Sequence, residues 1–150
     1  MTGSVRRIGV IHLNQIGDLV FSLPLLASLR QHYPGAEIVS ILNPGLVDLL
    51  EDSPSVDRLM PKRDGLRARL GLMRDLRRLA PDLLFCLPRS EEAFLLTMFS
   101  RAAIKAGFAN FPWDMTLDVK ERIEGHNSWH NNAKLLKALG IPIAQDSYEI

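Results

Sequence analysis

The 150-residue sequence contains one cysteine, Cys86, which excludes a disulfide within the chain. It sits in the apolar run Leu83-Leu84-Phe85-Cys86-Leu87, which predicts a buried thiol and fits a reducing, cytoplasmic compartment. No stretch reaches the roughly 18 consecutive apolar residues that a membrane-spanning helix needs. Behind Arg6-Arg7, polar His12 and Asn14 interrupt the apolar run too early for a secretory signal core. Ten glycines and nine prolines are too few for a low-complexity or collagen-like chain. These absences exclude a disulfide scaffold, a multi-pass membrane protein and a disordered tail.

What remains is ordinary globular composition, with 47% hydrophobic and 23% charged residues. The length predicts one domain, since domains run to roughly 100–200 residues. A chain of this size buries about two-thirds of its unfolded surface and folds without covalent staples. The net charge of +1 hides an asymmetry. Eight basic residues (Arg58, Lys62, Arg63, Arg67, Arg69, Arg74, Arg77 and Arg78) face only Asp64 and Asp75, a local balance of +6. Such a stretch is either a solvated helix face or a contact for a local anionic partner. No nucleic-acid partner is expected.

Strand and helix signals alternate along the chain. Val5 to Leu13 predicts a first strand. The apolar stretch from Leu19 to Leu29 predicts a helix, with Pro24 in its first turn and regular structure starting near Ser22. Glu37 to Leu42 predicts a second strand, Leu46 to Glu51 a short helix, and Val56 to Met60 a third strand. Leu66 to Leu79 predicts a helix with Leu66, Leu70, Met73 and Leu76 as its buried stripe. Leu83 to Leu87 does not alternate and predicts a strand buried on both faces. Ser90, followed by Glu91 and Glu92, opens a helix with acids at its positive end. Ala103 to Phe108 predicts a fifth strand. Residues Ala109 to Gly125 look irregular, and Ser128 to Leu139 predicts a final helix stopped by Gly140 and Pro142. The fold class is α/β, a Rossmann-like parallel sheet with helices on both faces and strand order 3-2-1-4-5. Ligands in such sheets bind beyond the carboxyl ends of the strands, where the order reverses. Two loops meet there, Asn14-Gln15-Ile16-Gly17-Asp18 and Pro88-Arg89-Ser90.

The first loop lacks the three glycines of a dinucleotide fingerprint and is not a Walker loop. An acid, Asp18, stands where a phosphate would sit. Asp18 is either a helix N-cap or a cleft carboxylate able to accept a proton from a bound hydroxyl. Arg89 is either solvated or a planar fork for a carboxylate or phosphate, and Ser90 is either a helix cap or a contact.

The opening Arg7-Ile8-Gly9-Val10-Ile11-His12-Leu13-Asn14-Gln15-Ile16-Gly17-Asp18-Leu19-Val20-Phe21-Ser22-Leu23-Pro24 resembles the first strand and helix of the glycosyltransferase family 9 heptosyltransferases. The likeness continues in order through Tyr33-Pro34-Gly35-Ala36-Glu37-Ile38, Asn43-Pro44, Pro81-Asp82-Leu83-Leu84, Arg101 to Phe108, and Leu135-Leu136-Lys137-Ala138-Leu139-Gly140-Ile141-Pro142. The resemblance implies the N-terminal half of a GT-B enzyme: residues 1–143 as the acceptor-binding domain, residues 144–150 as the start of a linker, and a donor-binding domain outside this chain. It implies inverting transfer of heptose from ADP-heptose to an anionic lipopolysaccharide inner-core acceptor, with no metal or cofactor and Asp18 as general base. Asn14, Gln15, Gly17, Arg89 and Ser90 would then line the acceptor cleft. Lys62, Arg63, Arg67 and Arg69 match the family's basic residues by location and would bind acceptor or membrane-surface anions, with peripheral contact at the inner face of the cytoplasmic membrane. The turn Cys86-Leu87-Pro88-Arg89-Ser90 departs from the acidic, Gln-Gly-containing turn common in the family.

His126 and His130 are four apart, but no Glu follows His126 and no third ligand is evident, so no metal site is expected. Trp113 and Trp129 either line the cleft or pack. The rival to an enzyme is a non-catalytic Rossmann-like module that binds an anionic glycan or lipid.

Overall fold

The computed structural model describes residues 5–12, 16–50, 55–62, 65–87, 91–108, 115, 117–121 and 128–142. Six strands form one parallel sheet: β1 (Arg7–His12), β2 (Glu37–Leu42), β3 (Arg58–Pro61), β4 (Leu83–Cys86), β5 (Ile104–Phe108) and β6 (Val119–Glu121). Their order is β3-β2-β1-β4-β5-β6. The helices are α1 (Ile16–His32), α2 (Val47–Leu50), α3 (Leu66–Leu79), α4 (Glu91–Phe99) and α5 (Ser128–Ala138). The predicted order of the first five strands is the observed one. The sixth lies within the stretch expected to be irregular. It is three residues long and carries Lys120 and Glu121, so it shows no apolar run.

Side chains alternate across the sheet and feed two cores. Ile8, Val10, Ile38, Leu42, Leu83 and Phe85 pack with Leu25, Leu26 and Leu29 of α1 and with Leu135 and Leu136 of α5. Ile11, Val39, Ile41, Leu84 and Cys86 face the other way, toward Leu72, Leu76 and Leu79 of α3 and Ala93, Phe94 and Leu96 of α4. All four residues of β4 are buried, as its unbroken apolar run predicts.

Two helices differ from expectation. The backbone of α1 is helical from Ile16, not from near Ser22, and Pro24 lies in its interior. Proline there removes one helical hydrogen bond. Complete burial of Leu25, Leu26 and Leu29 carries the helix through regardless. The stripe of α3 is Leu72, Leu76 and Leu79, spaced four and three apart. Leu66 and Leu70 instead stand 74% and 54% exposed. Leu76 is buried as expected and Met73 is partly buried against the core, so the expected stripe fails at its first two positions, because only the second half of α3 lies deep against the sheet. The short second helix begins as a 3-10 turn at Pro44–Leu46, before α2.

One device recurs at the amino edge of the sheet. Asp57, Asp82 and Asp118 each stand one residue before a strand (β3, β4 and β6). Each backbone N–H donates to a carbonyl of the neighbouring strand segment: Asp57 to Ile38 at 2.8 Å, Asp82 to Arg7 at 2.9 Å and Asp118 to Lys105 at 2.7 Å. Each carboxylate then accepts the N–H of that same residue, at 2.8 Å from Ile38, 3.0 Å from Arg7 and 2.8 Å from Lys105. Asp82 also accepts the Arg6 N–H at 2.8 Å. Burial pushes the Asp57 carboxyl up, but the Ile38 N–H and the Arg30 guanidinium outweigh it and hold the group below its ordinary value.

Two predictions follow from this geometry. Asp82→Ala leaves the Arg6 and Arg7 N–H groups without their acceptor and should lower the unfolding free energy by about 1–2 kcal/mol in urea titrations; an unchanged midpoint would refute the pinning role. At Gly107 an added Cβ would lie 2.7 Å from the Cys86 carbonyl oxygen, whereas at Gly71, inside α3, it would meet nothing within 4 Å. Gly107→Ala should therefore destabilise by roughly 1–3 kcal/mol, and Gly71→Ala should stabilise by up to about 1 kcal/mol. Thermal melts of both variants decide; shifts of the same sign would contradict the packing.

Candidate functional site

The carboxyl edge of the sheet is where β1 gives way to α1, β3 to Lys62 and β4 to α4. Asp18 is the third residue of α1, within its first turn and close to the carboxyl end of β1. An N-cap residue lies outside the helix with extended dihedrals. Asp18 is therefore not the N-cap, although a carboxylate in the first turn still gains from the helix dipole. Gly17 precedes it in the same turn. Asn14, Gln15, Arg63, Arg89 and Ser90 lie outside the described residues, as do Trp113, His126 and residues 143–150. His130 and Trp129 stand in the first turn of α5.

The structure brings three charged groups together at this edge. Glu92, in the first turn of α4, accepts Lys62 Nζ at 2.9 Å and Arg69 Nε at 3.3 Å. In the sheet order β2 and β1 lie between β3 and β4, so the Lys62–Glu92 contact spans the carboxyl edge at the point of reversal. The triad keeps one net positive charge. From sequence Glu92 shows only as a favourable charge at a helix start, and nothing in the spacing links it to Lys62. Below the triad a cavity of about 320 Å³ opens between α3 and α4, lined by Arg69, Leu72, Met73, Glu92, Leu95 and Leu96. Its size is at the lower end of small-molecule sites. Arg67 is exposed on α3 and is not part of the triad.

The floor of the edge is polar but uncharged. His12, the last residue of β1, is 1% exposed, and its Nε2 shares a hydrogen bond with the Ser40 hydroxyl of β2. Burial pushes the imidazole down to about 3, so the ring is neutral at physiological pH. Sequence reading passed over His12 because one polar residue ending an apolar strand resembles a strand terminus. Cys86, ending β4, is buried as expected; burial pushes its thiol up to about 12, against a smaller opposing effect of a hydrogen bond with Thr97. Such a thiol is inert as a nucleophile. Among the described residues no three His, Cys, Asp or Glu side chains converge as a metal-binding group, and no helix is long and apolar enough to cross a membrane.

This architecture is a Rossmann-like α/β domain of the kind found in GT-B glycosyltransferases, and its fold is heptosyltransferase-like. No profile of a known protein family matches the chain. It is similar to the lipopolysaccharide core heptosyltransferase OpsX of Haemophilus influenzae, with 24% identity over 159 residues, covering 99% of this chain and 45% of that protein. The chain thus spans about half the length of the curated relative it matches. Among solved structures, the family 9 glycosyl transferase of Veillonella parvula superposes with a TM-score of 0.81 at 23% identity, over 95% of this chain and 43% of that one. The E. coli heptosyltransferase WaaC bound to ADP gives 0.78 at 20% identity, over 96% and 51%. E. coli ADP-heptose lps heptosyltransferase II gives 0.73 at 20%, over 96% and 46%.

The buried imidazole generates a pH prediction. In the folded chain His12 takes a proton only near about pH 3, and in the unfolded chain near 6.5. The unfolded state thus binds the extra proton first as pH falls. Stability is complete above about 6.5 and declines below it. Acidifying from about pH 7.5 to about pH 5.5 should cost roughly 1 kcal/mol through this group, and His12→Gln should remove that share. Parallel pH dependence of the two proteins in urea unfolding would contradict the assignment.

Proposed function

We propose that this chain forms the acceptor-binding half of an inverting, metal-independent heptosyltransferase, with Asp18 as its general base. The observation that carries the reading is the heptosyltransferase-like fold extending over nearly the whole chain, with an aspartate in the helix turn at the carboxyl end of β1. In this reading the donor is ADP-heptose, held by a second domain outside residues 1–150. The acceptor is an anionic lipopolysaccharide inner core. The Asp18 carboxylate takes the proton of the acceptor hydroxyl as its oxygen bonds to the anomeric carbon. The bond from that carbon to the ADP oxygen breaks on the opposite side, its electron pair leaves with ADP, and configuration inverts. A first-turn position favours the ionised form that a base needs.

Lys62 and Arg69 are the described cations best situated for acceptor anions, since Glu92 already holds them at the carboxyl edge. Arg63, Arg67, Arg89 and Ser90 are proposed as further contacts, and Asn14, Gln15 and Gly17 as the cleft wall. Glu92 then acts as a resident counter-ion that an incoming phosphate or carboxylate displaces. A second reading is a module that binds an anionic glycan or lipid without transferring sugar, for which the Lys62 and Arg69 cations beside Glu92 would by themselves suffice.

The two readings separate on Asp18→Asn in the complete protein, assayed with ADP-heptose and a defined inner-core acceptor. The enzyme reading expects turnover to fall by about 10²–10⁴-fold with acceptor affinity little changed. Retained turnover would remove Asp18 as the base. Absence of any transfer by the unaltered complete protein would favour the binding module.

A further inference from the structure

Helices α3 and α4 each follow a strand of the same parallel sheet, so both run from its carboxyl edge toward its amino edge, and both cover the same face. Two ties join them. At the carboxyl end Glu92 of α4 holds Arg69 of α3, with Nε at 3.3 Å, together with Lys62 at 2.9 Å. At the other end Arg77 Nη1 of α3 donates to the Phe99 carbonyl of α4 at 2.9 Å. Arg69 and Arg77 are eight residues apart, about 12 Å along a helix. The cavity of about 320 Å³ lies between the two helices. Its charged lining residues, Arg69 and Glu92, both belong to the first tie. The other four are apolar: Leu72 and Leu96 are buried, and Met73 and Leu95 are half-buried. The cavity is therefore a slot with charge at one end. The proposed transfer makes no use of its four apolar side chains.

We propose that this slot binds a free, unbranched alkyl carboxylate of about eight carbons, its head on Arg69 and its tail between α3 and α4. Charge selects the head. The triad carries one net positive charge, which a monoanion neutralises. Glu92 is already engaged by two cations and its side chain is 22% exposed, whereas the Arg69 side chain is 56% exposed. The planar guanidinium has room to meet a second carboxylate along its outer edge. Shape and polarity select the tail. With C–C bonds of about 1.5 Å an extended chain advances about 1.25 Å per carbon, so eight carbons occupy about 10 Å and fit between the ties. Methylenes gain from contact with Leu72, Met73, Leu95 and Leu96, while a sugar or nucleotide would leave hydroxyl and amide groups without partners there. The assignment rests on the slot and its mouth and not on sugar transfer. Where an acceptor anion also uses Arg69, the bound carboxylate excludes it, and the slot becomes a point of inhibition.

The test is calorimetric titration of the 150-residue chain with butanoate, hexanoate, octanoate and dodecanoate, each below its micelle-forming concentration. One site per chain is expected. Affinity should rise by up to about fourfold per methylene as far as octanoate and gain nothing further at dodecanoate. Octylammonium should bind at least about tenfold more weakly than octanoate, and Arg69→Gln should weaken octanoate by a similar factor. Met73→Trp and Leu95→Trp each place an indole in the slot and should abolish octanoate binding. Leu66→Ser/Leu70→Ser, on exposed positions outside the slot, should leave it unchanged. Circular dichroism verifies the fold of each variant, and the chain-length series needs no variant at all. Affinity that ignores chain length, or that keeps rising to dodecanoate, would overturn the proposal. So would several ligands per chain, equal binding of octylammonium, or full binding by a folded tryptophan variant. Loss of binding in Leu66→Ser/Leu70→Ser would overturn it too, assigning the alkyl chain to the outer face of α3. None of these measurements involves Asp18 or sugar transfer, so the slot and the transferase reading fail separately.

Discussion

The aspartates that stand one residue ahead of β3, β4 and β6 hold the architecture in register. Parallel strands receive no help from tight hairpins; each pair is joined through a long crossover. A one-residue slip would exchange the two buried faces of a strand. Asp57, Asp82 and Asp118 oppose such slips by locking one residue of the neighbouring strand segment with two reciprocal bonds. Exposed bonds of this kind contribute modest energy individually. Their value is geometric, because they fix where each ladder starts. Arg7 adds to the same edge by donating from Nη1 to the Leu79 carbonyl at 2.9 Å, tying the end of α3 to β1.

Pinning the amino edge leaves the carboxyl edge free to carry chemistry. There the polar groups are arranged differently. His12 and Ser40 satisfy each other under cover and stay neutral. Cys86 is protonated and unreactive. Among the described residues, the charged groups of this edge lie where elements leave the sheet, at Lys62, Arg69 and Glu92, and Asp18 stands in the first turn of α1. A dry, uncharged floor with charges at its rim lets an anionic ligand meet cations without competition from buried carboxylates. The Glu92 contacts also restrain two long side chains before any ligand arrives, which lowers the entropy lost on binding.

The sheet was legible because its signals are local. The β-branched runs, Asn43-Pro44-Gly45 and Pro81-Asp82 marked strands and their ends, and right-handed crossovers left few possible orders. The short β6 escaped notice because three half-exposed residues generate no pattern. On α3 the row Leu66–Leu70–Met73–Leu76 holds only in its second half, because periodicity states which residues share a face, not how deep each one lies. Leu72 and Leu79 join Leu76 in the buried row, and only the sheet's position selects them. Asp18 stands out in the sequence because it follows a single glycine at a strand-to-helix turn. Glu92 and His12 were not singled out because their significance lies in partners more than twenty residues away, Lys62 and Ser40. The triple recurrence of an aspartate before a strand is visible in the sequence, but nothing in it separates a register pin from a turn residue.

Helix α3 is poorly built as a helix in isolation, and this bears on what it does. Its N-cap is Gly65, with φ of 101° and no side-chain cap. Its first turn holds no acid, while Arg67 and Arg69 sit at the positive end of the dipole, where cations are unfavourable. Gly71 interrupts its interior, and its two most N-terminal leucines are left in solvent. Burial of Leu72, Leu76 and Leu79, together with the left-handed C-cap at Ala80, suffices to hold the C-terminal half. The N-terminal half gains little from the fold itself. The stability of α3 therefore comes from the sheet it covers and from its C-terminal half, and not from its own helix signals.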